Sequence, residues 1–333
     1  MGPRRSQKPG IQTAPATGGR RLDAFLEDWI SGLGMRVRPA TARRYAELLR
    51  LHVIPALGPA RLSQVTPQRV EALLTEKLAE GLSPRTVWHV RAVFRAALSD
   101  AVRAGEVSGN AAALARPPRV EGYEVAPMTP TRAAEILDAT GGTDLEAPIS
   151  LALWTGIRQG ELLGLRWADV NLEGRRLSVN LALHGRHGRW FLEATKTPKS
   201  RRTIGLPEPA AEALAAHRQR QLEQRRLVGP EWDTRFTDLV FTDRFGRPID
   251  GRNLTQRFQT ILRNAGLPRI RFHDLRHAAA TLMLASGTDL KVVSEILGHS
   301  TIGTTANIYA GVLDQLKADA AVRLARLVRP RGW

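Results

Sequence analysis

Four separated segments of the chain hold the polar residues that phosphoryl transfer uses. They are TGIRQGELLGLRW around Arg158, TKTPKSRRTI around Lys196, HDLRH from His273, and LGHSTIGTTANIY, which runs to Tyr309. An in-line attack on a phosphodiester builds negative charge on the non-bridging oxygens, and a planar guanidinium group can bind two such oxygens at once. Arg158 and Arg276 therefore suit the binding of a phosphate under attack.

The four segments, taken together and in this order, resemble the tyrosine recombinases of the phage-integrase family. The most specific part of the resemblance is HDLRHAAATLM followed by LGHS and then a tyrosine. TARRYAELLRLHVIPALG and LSPRTVWHVRAVFRAALSDAV resemble the family's helical core-binding domain, so the resemblance covers most of the chain. It implies a catalytic set around one DNA phosphate, which consists of Arg158, Lys196, His273, Arg276, His299 and Tyr309.

The resemblance also implies a role for each member of this set. Tyr309 would displace a 5′-hydroxyl and hold the DNA through a 3′-phosphotyrosine, which a 5′-hydroxyl of the partner duplex then attacks. A phenol has an ordinary pKa of ~10, so it needs a base or a cationic pocket before it can attack. Lys196 would protonate the departing oxygen, His273 would accept a proton or a hydrogen bond, and His299 would donate to the phosphate. No cofactor is required.

Two assignments leave alternatives open. Lys199, Arg201 and Arg202 lie near enough to Lys196 in the sequence to compete for the role of general acid. Glu161 would either orient the arginine three residues before it or be a helix-surface acid.

The HDLRH segment does not favour a metal site. His273 and His277 have the spacing of a zinc-protease helix, in which a glutamate beside the first histidine acts as base, but Asp274 stands at that place. Arg276 between the two histidines would repel a cation, and the chain has no cysteine to complete a site. We interpret His277 as a structural residue and expect no metal.

Composition and charge narrow the class of protein. The 333 residues carry a formal net charge of +17 and no cysteine, which excludes disulfides, thiol nucleophiles and cysteine-ligated metals. Such an excess of positive charge favours a nucleic acid partner. No apolar run approaches the ~20 residues that span a bilayer, so we expect a cytoplasmic protein associated with DNA. Charge alone would also fit a packaging protein that binds DNA without cutting it.

The elements that must position these residues form two predicted domains of a mainly α (α+β) fold. Thr66-Pro67, Ser83-Pro84 and Thr129-Pro130 each place an N-cap oxygen before a proline at the first helical position. The first domain is therefore expected to be a four-helix core-binding domain, and the second mostly helical with a small three-stranded antiparallel sheet from 175–183, GRWFLEA and RRTIGL. The predicted ranges are a disordered basic tail at 1–21, the helical domain at 22–114, a linker at 115–127, the catalytic domain at 128–311, and a C-terminal helix and tail at 312–333.

The resemblance further implies a homotetramer on DNA with specific core sites, with accessory directionality or bending factors as further partners. Major-groove contacts are predicted for the first domain. The amphipathic helix at 312–328 either packs on its own domain or docks on a neighbouring protomer. The alternative functions are a type IB topoisomerase, which shares the tyrosine chemistry, and a catalytically inactive DNA-binding protein. The residues proposed for the major groove are Arg44, Arg85, Thr86 and His89.

Overall fold

The computed structural model describes residues 19–120, 128–186, 189–195, 201–236 and 238–298, with only the backbone of Arg186. The chain divides into two compact units, residues 1–123 and 124–333. Three members of the predicted catalytic set, Lys196, His299 and Tyr309, lie outside the described residues, as do most of the basic tail and the helix at 312–328. No helix among the described residues is long and apolar enough to cross a bilayer.

The first unit is helical, as the sequence predicts. The hydroxyl groups of Thr66 and Ser83 accept hydrogen bonds from backbone N–H groups in the first turns of their helices. Pro55 has no N–H to donate, and the chain just before it takes one turn of π-helix, Leu49–Val53, between two α-helices. The helices are α1 (Leu22–Ser31), α2 (Pro39–Leu48), α3 (Ile54–Leu57), α4 (Pro67–Ala79), α5 (Pro84–Arg103) and α6 (Ala111–Leu114).

The last residues of the predicted tail and the first residue of the predicted linker contact the first unit. Arg20 forms an ion pair with Asp28, and Arg21 makes a β-bridge with Arg61. At the other end, Ala115 is buried in the core of the unit. The domain boundaries remain predictions, but the unit uses a few residues on either side of 22–114.

The second unit is built around α8, which is buried on nearly all sides and packs against α7, α10 and α12. A helix that is apolar all round belongs at the centre of a domain, so its C-terminal end is a fixed point for the residues that follow. The helices are α7 (Pro130–Thr140), α8 (Glu146–Thr155), α9 (Gln159–Leu163), α10 (Glu208–Val228), α11 (Gly251–Asn264), α12 (Asp274–Ala285) and α13 (Leu290–Leu297).

The strands form two small antiparallel sheets. The segment predicted as one strand at 175–183 divides at Asn180, whose side chain donates to Asp169 at 2.8 Å. Its first half joins a three-stranded sheet in the order β1-β2-β5, and its second half forms a separate hairpin, β3-β4. The strands are β1 (Val170–Asn171), β2 (Arg176–Val179), β3 (Leu181–Arg186), β4 (Arg189–Ala194) and β5 (Arg202–Gly205).

Candidate active site

Arg158 lies just beyond the buried helix α8, at the N-terminus of α9. Its backbone N–H donates to the Glu161 carboxylate at 3.1 Å, and its Nη1 donates to Glu161 Oε1 at 2.8 Å. Its Nη2 donates to the carbonyl oxygen of Gly298 at 2.9 Å. Glu161 is only 4% exposed, so it orients the arginine, and the alternative of a helix-surface acid is wrong.

Arg276, in the first turn of α12, is almost fully buried at 4% exposure. Its Nη1 donates to the carbonyl oxygen of Gly156 at 2.6 Å and its Nη2 to that of Leu297 at 2.7 Å. A buried charge is costly unless it is hydrogen-bonded, and these carbonyl groups satisfy part of that need while fixing the plane of the guanidinium group.

Two glycines end the helices that meet at this point. Gly156 follows α8 with φ +62°, and Gly298 follows α13 with φ +66°, both in the left-handed region that favours glycine. A Cβ atom on Gly156 would lie 2.5 Å from Leu297 Cδ2, and one on Gly298 would lie 3.1 Å from Arg202 Nη1. The glycines of TGIRQG and LGHS therefore end two helices and let their ends approach each other.

Arg202 is a third arginine of the site, and the sequence suggested it only as a competitor of Lys196. Its side chain is 6% exposed, and its Nη2 donates to Glu161 Oε2 at 2.8 Å. Burial alone would raise the pKa of Glu161, but the hydrogen bond from Arg202 and the charges of Arg202 and Arg158 lower it below its ordinary value. Glu161 is therefore ionised, and it leaves the three guanidinium groups with two net positive charges.

His273 is the N-cap residue of α12, and part of its surface is exposed to solvent. The ring of His277 lies edge-on to it, with centroids 5.1 Å apart. Partial removal from water lowers the pKa of His273 below its ordinary value, and the neighbouring charges of His277 and Arg276 lower it further. His273 is therefore neutral near pH 7 and can accept a proton.

Asp274, which follows His273 in the sequence, is hydrogen-bonded to Arg271. Its carboxylate accepts hydrogen bonds from the Nε, Nη2 and backbone N–H of Arg271. Among the side chains that the structure describes, no three His, Asp or Glu residues gather where they could hold a metal ion. Asp274 thus stabilises the start of α12.

The four residues proposed to contact the major groove lie on two helices of the first unit. Arg44, on α2, forms an ion pair with Glu47 at 3.0 Å. The hydroxyl of Thr86 shares a hydrogen bond with the N-cap Ser83 at 2.9 Å. Trp88, which is not among the predicted residues, is 42% exposed, and its ring lies edge-on to that of His89. The three residues at the start of α5 are Arg85, Thr86 and His89.

Family models match both parts of the chain. The model described as the phage integrase family matches residues 128–315, and the one described as its N-terminal SAM-like domain matches residues 22–78. An integrase of Saccharopolyspora erythraea is 28% identical over 91% of this chain and 81% of its own length. A XerC-like tyrosine recombinase of Caldanaerobacter subterraneus is 30% identical over 91% of this chain and 82% of its own length.

Solved structures share the fold. The integrase of the Tn1549 transposon, in complex with transposon right end DNA, matches with a TM-score of 0.77 and 23% identity over 92% of this chain and all of that one. A lambda integrase tetramer bound to a Holliday junction matches with a TM-score of 0.64 and 20% identity over 85% of this chain and 78% of that one.

Proposed function

The chain belongs to the phage integrase family of tyrosine recombinases, and on that premise we propose that it cleaves and rejoins DNA at specific sites through a 3′-phosphotyrosine at Tyr309. The reaction integrates or excises a phage or mobile element. The observation that carries the proposal is the arginine cluster, defined as Arg158, Arg202 and Arg276, which meets at the C-terminal end of α13. That end leads directly into His299 and the segment that holds Tyr309.

In the proposed mechanism the phenol oxygen of Tyr309 attacks phosphorus, and the bond to the 5′-oxygen breaks. Arg158 and Arg276 neutralise the charge on the non-bridging oxygens, with His299 as a further donor. His273, held neutral, accepts a proton or a hydrogen bond, and Lys196 gives its proton to the departing 5′-oxygen. Arg202, with its side chain buried between Glu161 and α13, is not suited to be that acid.

We propose that DNA with specific core sites is the partner and that four protomers act together on it in the cytoplasm. The two solved relatives are complexes with DNA, and one is a tetramer on a Holliday junction. A helix at 312–328 that docks on a neighbouring protomer would couple the active sites, whereas packing on its own domain would serve stability. Further proposed partners are accessory factors that bend the DNA or set the direction of recombination.

The experiment compares recombination with relaxation. The core site is first mapped from the DNA that flanks the encoding gene, and plasmids with two such sites, one site or none are incubated with the protein. We expect recombinant product only from the two-site plasmid, and none with Tyr309→Phe, which retains DNA binding. Relaxation of the plasmid without sites would instead identify a topoisomerase. Binding without any cutting by the wild type would identify an inactive DNA-binding protein.

A further inference from the structure

The side chain of Arg202 is too buried for a general acid or for a contact with DNA. Arg202 is the first residue of β5, and its side chain is 6% exposed, so almost none of its surface can meet DNA. One edge of its guanidinium group donates to Glu161, and its Nε donates to the carbonyl oxygen of Ile296. The side chain thus connects strand β5 to α9 and to the end of α13.

The carboxylate of Glu161 is shared between two arginines. Arg158 Nη1 donates to one of its oxygens and Arg202 Nη2 to the other, both at 2.8 Å. Two cations on one buried carboxylate leave Arg158 with unbalanced positive charge, because Arg202 takes up part of the charge of Glu161. A phosphate that approaches Arg158 therefore meets less competition from the acid that orients it.

The end of α13 receives one arginine at each of three consecutive carbonyl groups. Ile296 accepts from Arg202, Leu297 from Arg276 and Gly298 from Arg158, which together are the arginine cluster. The last carbonyl groups of a helix have no partner within it, and they carry the negative end of the helix dipole. The cluster therefore fixes the helix end from which the chain continues to His299.

We propose that Arg202 is a positioning residue of the cleavage reaction, which holds Arg158 through Glu161 and holds the start of the His299 segment through Ile296. This inference rests on the proposed function. The fork of a guanidinium group reaches both acceptors, whereas a lysine at this position has a single ammonium group and a methionine has no donor. Gly298 contributes to the same arrangement, because a side chain at this position would contact the guanidinium group of Arg202.

The test measures the single-turnover cleavage rate on a nicked core-site substrate at saturating protein, together with the Kd for a half-site and the melting temperature. Losing the hydrogen bonds to the Glu161 carboxylate and the Ile296 carbonyl group should lower the saturated rate of Arg202→Met by about 30-fold, with Kd within about twofold of wild type. Arg226→Met is the matched control, since it removes the same charge from an exposed ion pair with Glu223. It should keep the wild-type rate.

Two further variants separate positioning from simple stability. Arg202→Lys keeps the charge but has a single ammonium group in place of the planar fork, so its rate should lie between those of wild type and Arg202→Met. In the Glu161→Gln variant the link to Arg158 is already weakened. Adding Arg202→Met to that variant should therefore lower its saturated cleavage rate by less than about fivefold. If Arg202→Met does not fold, Arg202→Lys takes its place in this cycle.

The outcomes are distinct. An unchanged saturated rate, a rate loss that is fully explained by the unfolded fraction, or independent losses for Arg202 and Glu161 would each overturn the positioning role. If the wild type itself cuts no core site, the proposed function is wrong. Failure of the positioning role is different, because the wild type then cuts and the Arg202 variants cut equally well.

Discussion

The arginines predicted for catalysis and those predicted for DNA binding are held in opposite ways. In the second unit, Arg158 and Arg276 are each fixed by two or more hydrogen bonds to a buried carboxylate or to backbone carbonyl groups. In the first unit, Arg44 and Arg85 are exposed, and Arg44 has a single surface ion pair. Chemistry at phosphorus needs fixed donors, whereas binding along a DNA groove tolerates side chains that adapt. The comparison therefore predicts large, rate-specific effects in one unit and small, binding-specific effects in the other.

The largest effect is expected for Arg276→Lys. One ammonium group cannot reach both carbonyl acceptors and a phosphate, so the saturated cleavage rate should fall by about 1,000-fold. Arg44→Lys in the first unit is the control and should keep the wild-type rate. Equal rates for the two variants, measured by single-turnover cleavage, would remove the distinction between the units.

Gly298→Ala should have a smaller effect than Arg276→Lys. A left-handed alanine costs roughly 1–2 kcal/mol of stability. Its Cβ would also lie 3.1 Å from Arg202 Nη1 and shift that group by a few tenths of an ångström, so the cleavage rate should fall by about tenfold. Gly266→Ala is the matched control: its φ is +68°, and a Cβ there has nothing within 4 Å. Both variants should lose similar stability in denaturant unfolding, and only Gly298→Ala should lose rate. A parallel loss of rate in both would refute the role of the contact.

The pH dependence of cleavage should report the lowered pKa of His273. Because this pKa lies below its ordinary value of about 6.5, the ring is mostly neutral at pH 6.5, and the acid limb of the rate should have its midpoint below pH 6.5. Below the lowered pKa the rate should fall about tenfold per pH unit. Protonation of His273 and His277 also favours the unfolded chain, so stability decreases in the same direction. Circular dichroism at each pH separates the two effects. An acid limb with its midpoint above pH 6.5 would contradict the assignment.

The smallest effect belongs to the first unit. Removing one exposed charge by Arg85→Ala should weaken half-site binding by a few-fold, about 1 kcal/mol, and reduce the salt slope of binding by roughly one. The saturated cleavage rate should not change. Arg103→Ala, at the opposite end of α5 and paired with Asp100, is the control for binding. If Arg85→Ala leaves Kd and the salt slope unchanged in gel shifts, this end of α5 does not contact DNA.

The parts of the fold that the sequence predicts well depend on local signals. Thr66, Ser83 and Thr129 each precede a proline, and each caps a helix that begins at that proline. The break of the predicted strand at Asn180 has no such signal, because it depends on a hydrogen bond to Asp169.

The candidate site divides in the same way. Arg158 and Arg276 could be selected from motif context, and the structure brings both to the carbonyl groups of Leu297 and Gly298. The bond from Arg158 to Gly298 spans 140 residues and the one from Arg202 to Glu161 spans 41. No spacing within a helix or strand predicts such contacts. The sequence therefore predicts a set of reacting residues, while the groups that hold Arg158 and Arg276 in place could be found only from the fold.

The central claim, that the arginine cluster prepares a phosphate for attack by Tyr309, is tested most directly by mapping the covalent adduct. The protein is incubated with a nicked core-site substrate, and the adduct is digested with protease and nuclease and sequenced by mass spectrometry. We predict one modified peptide, with a 3′-linked nucleotide on Tyr309, and no adduct from Tyr309→Phe. A nucleotide on another residue, or a 5′ linkage, would contradict the account.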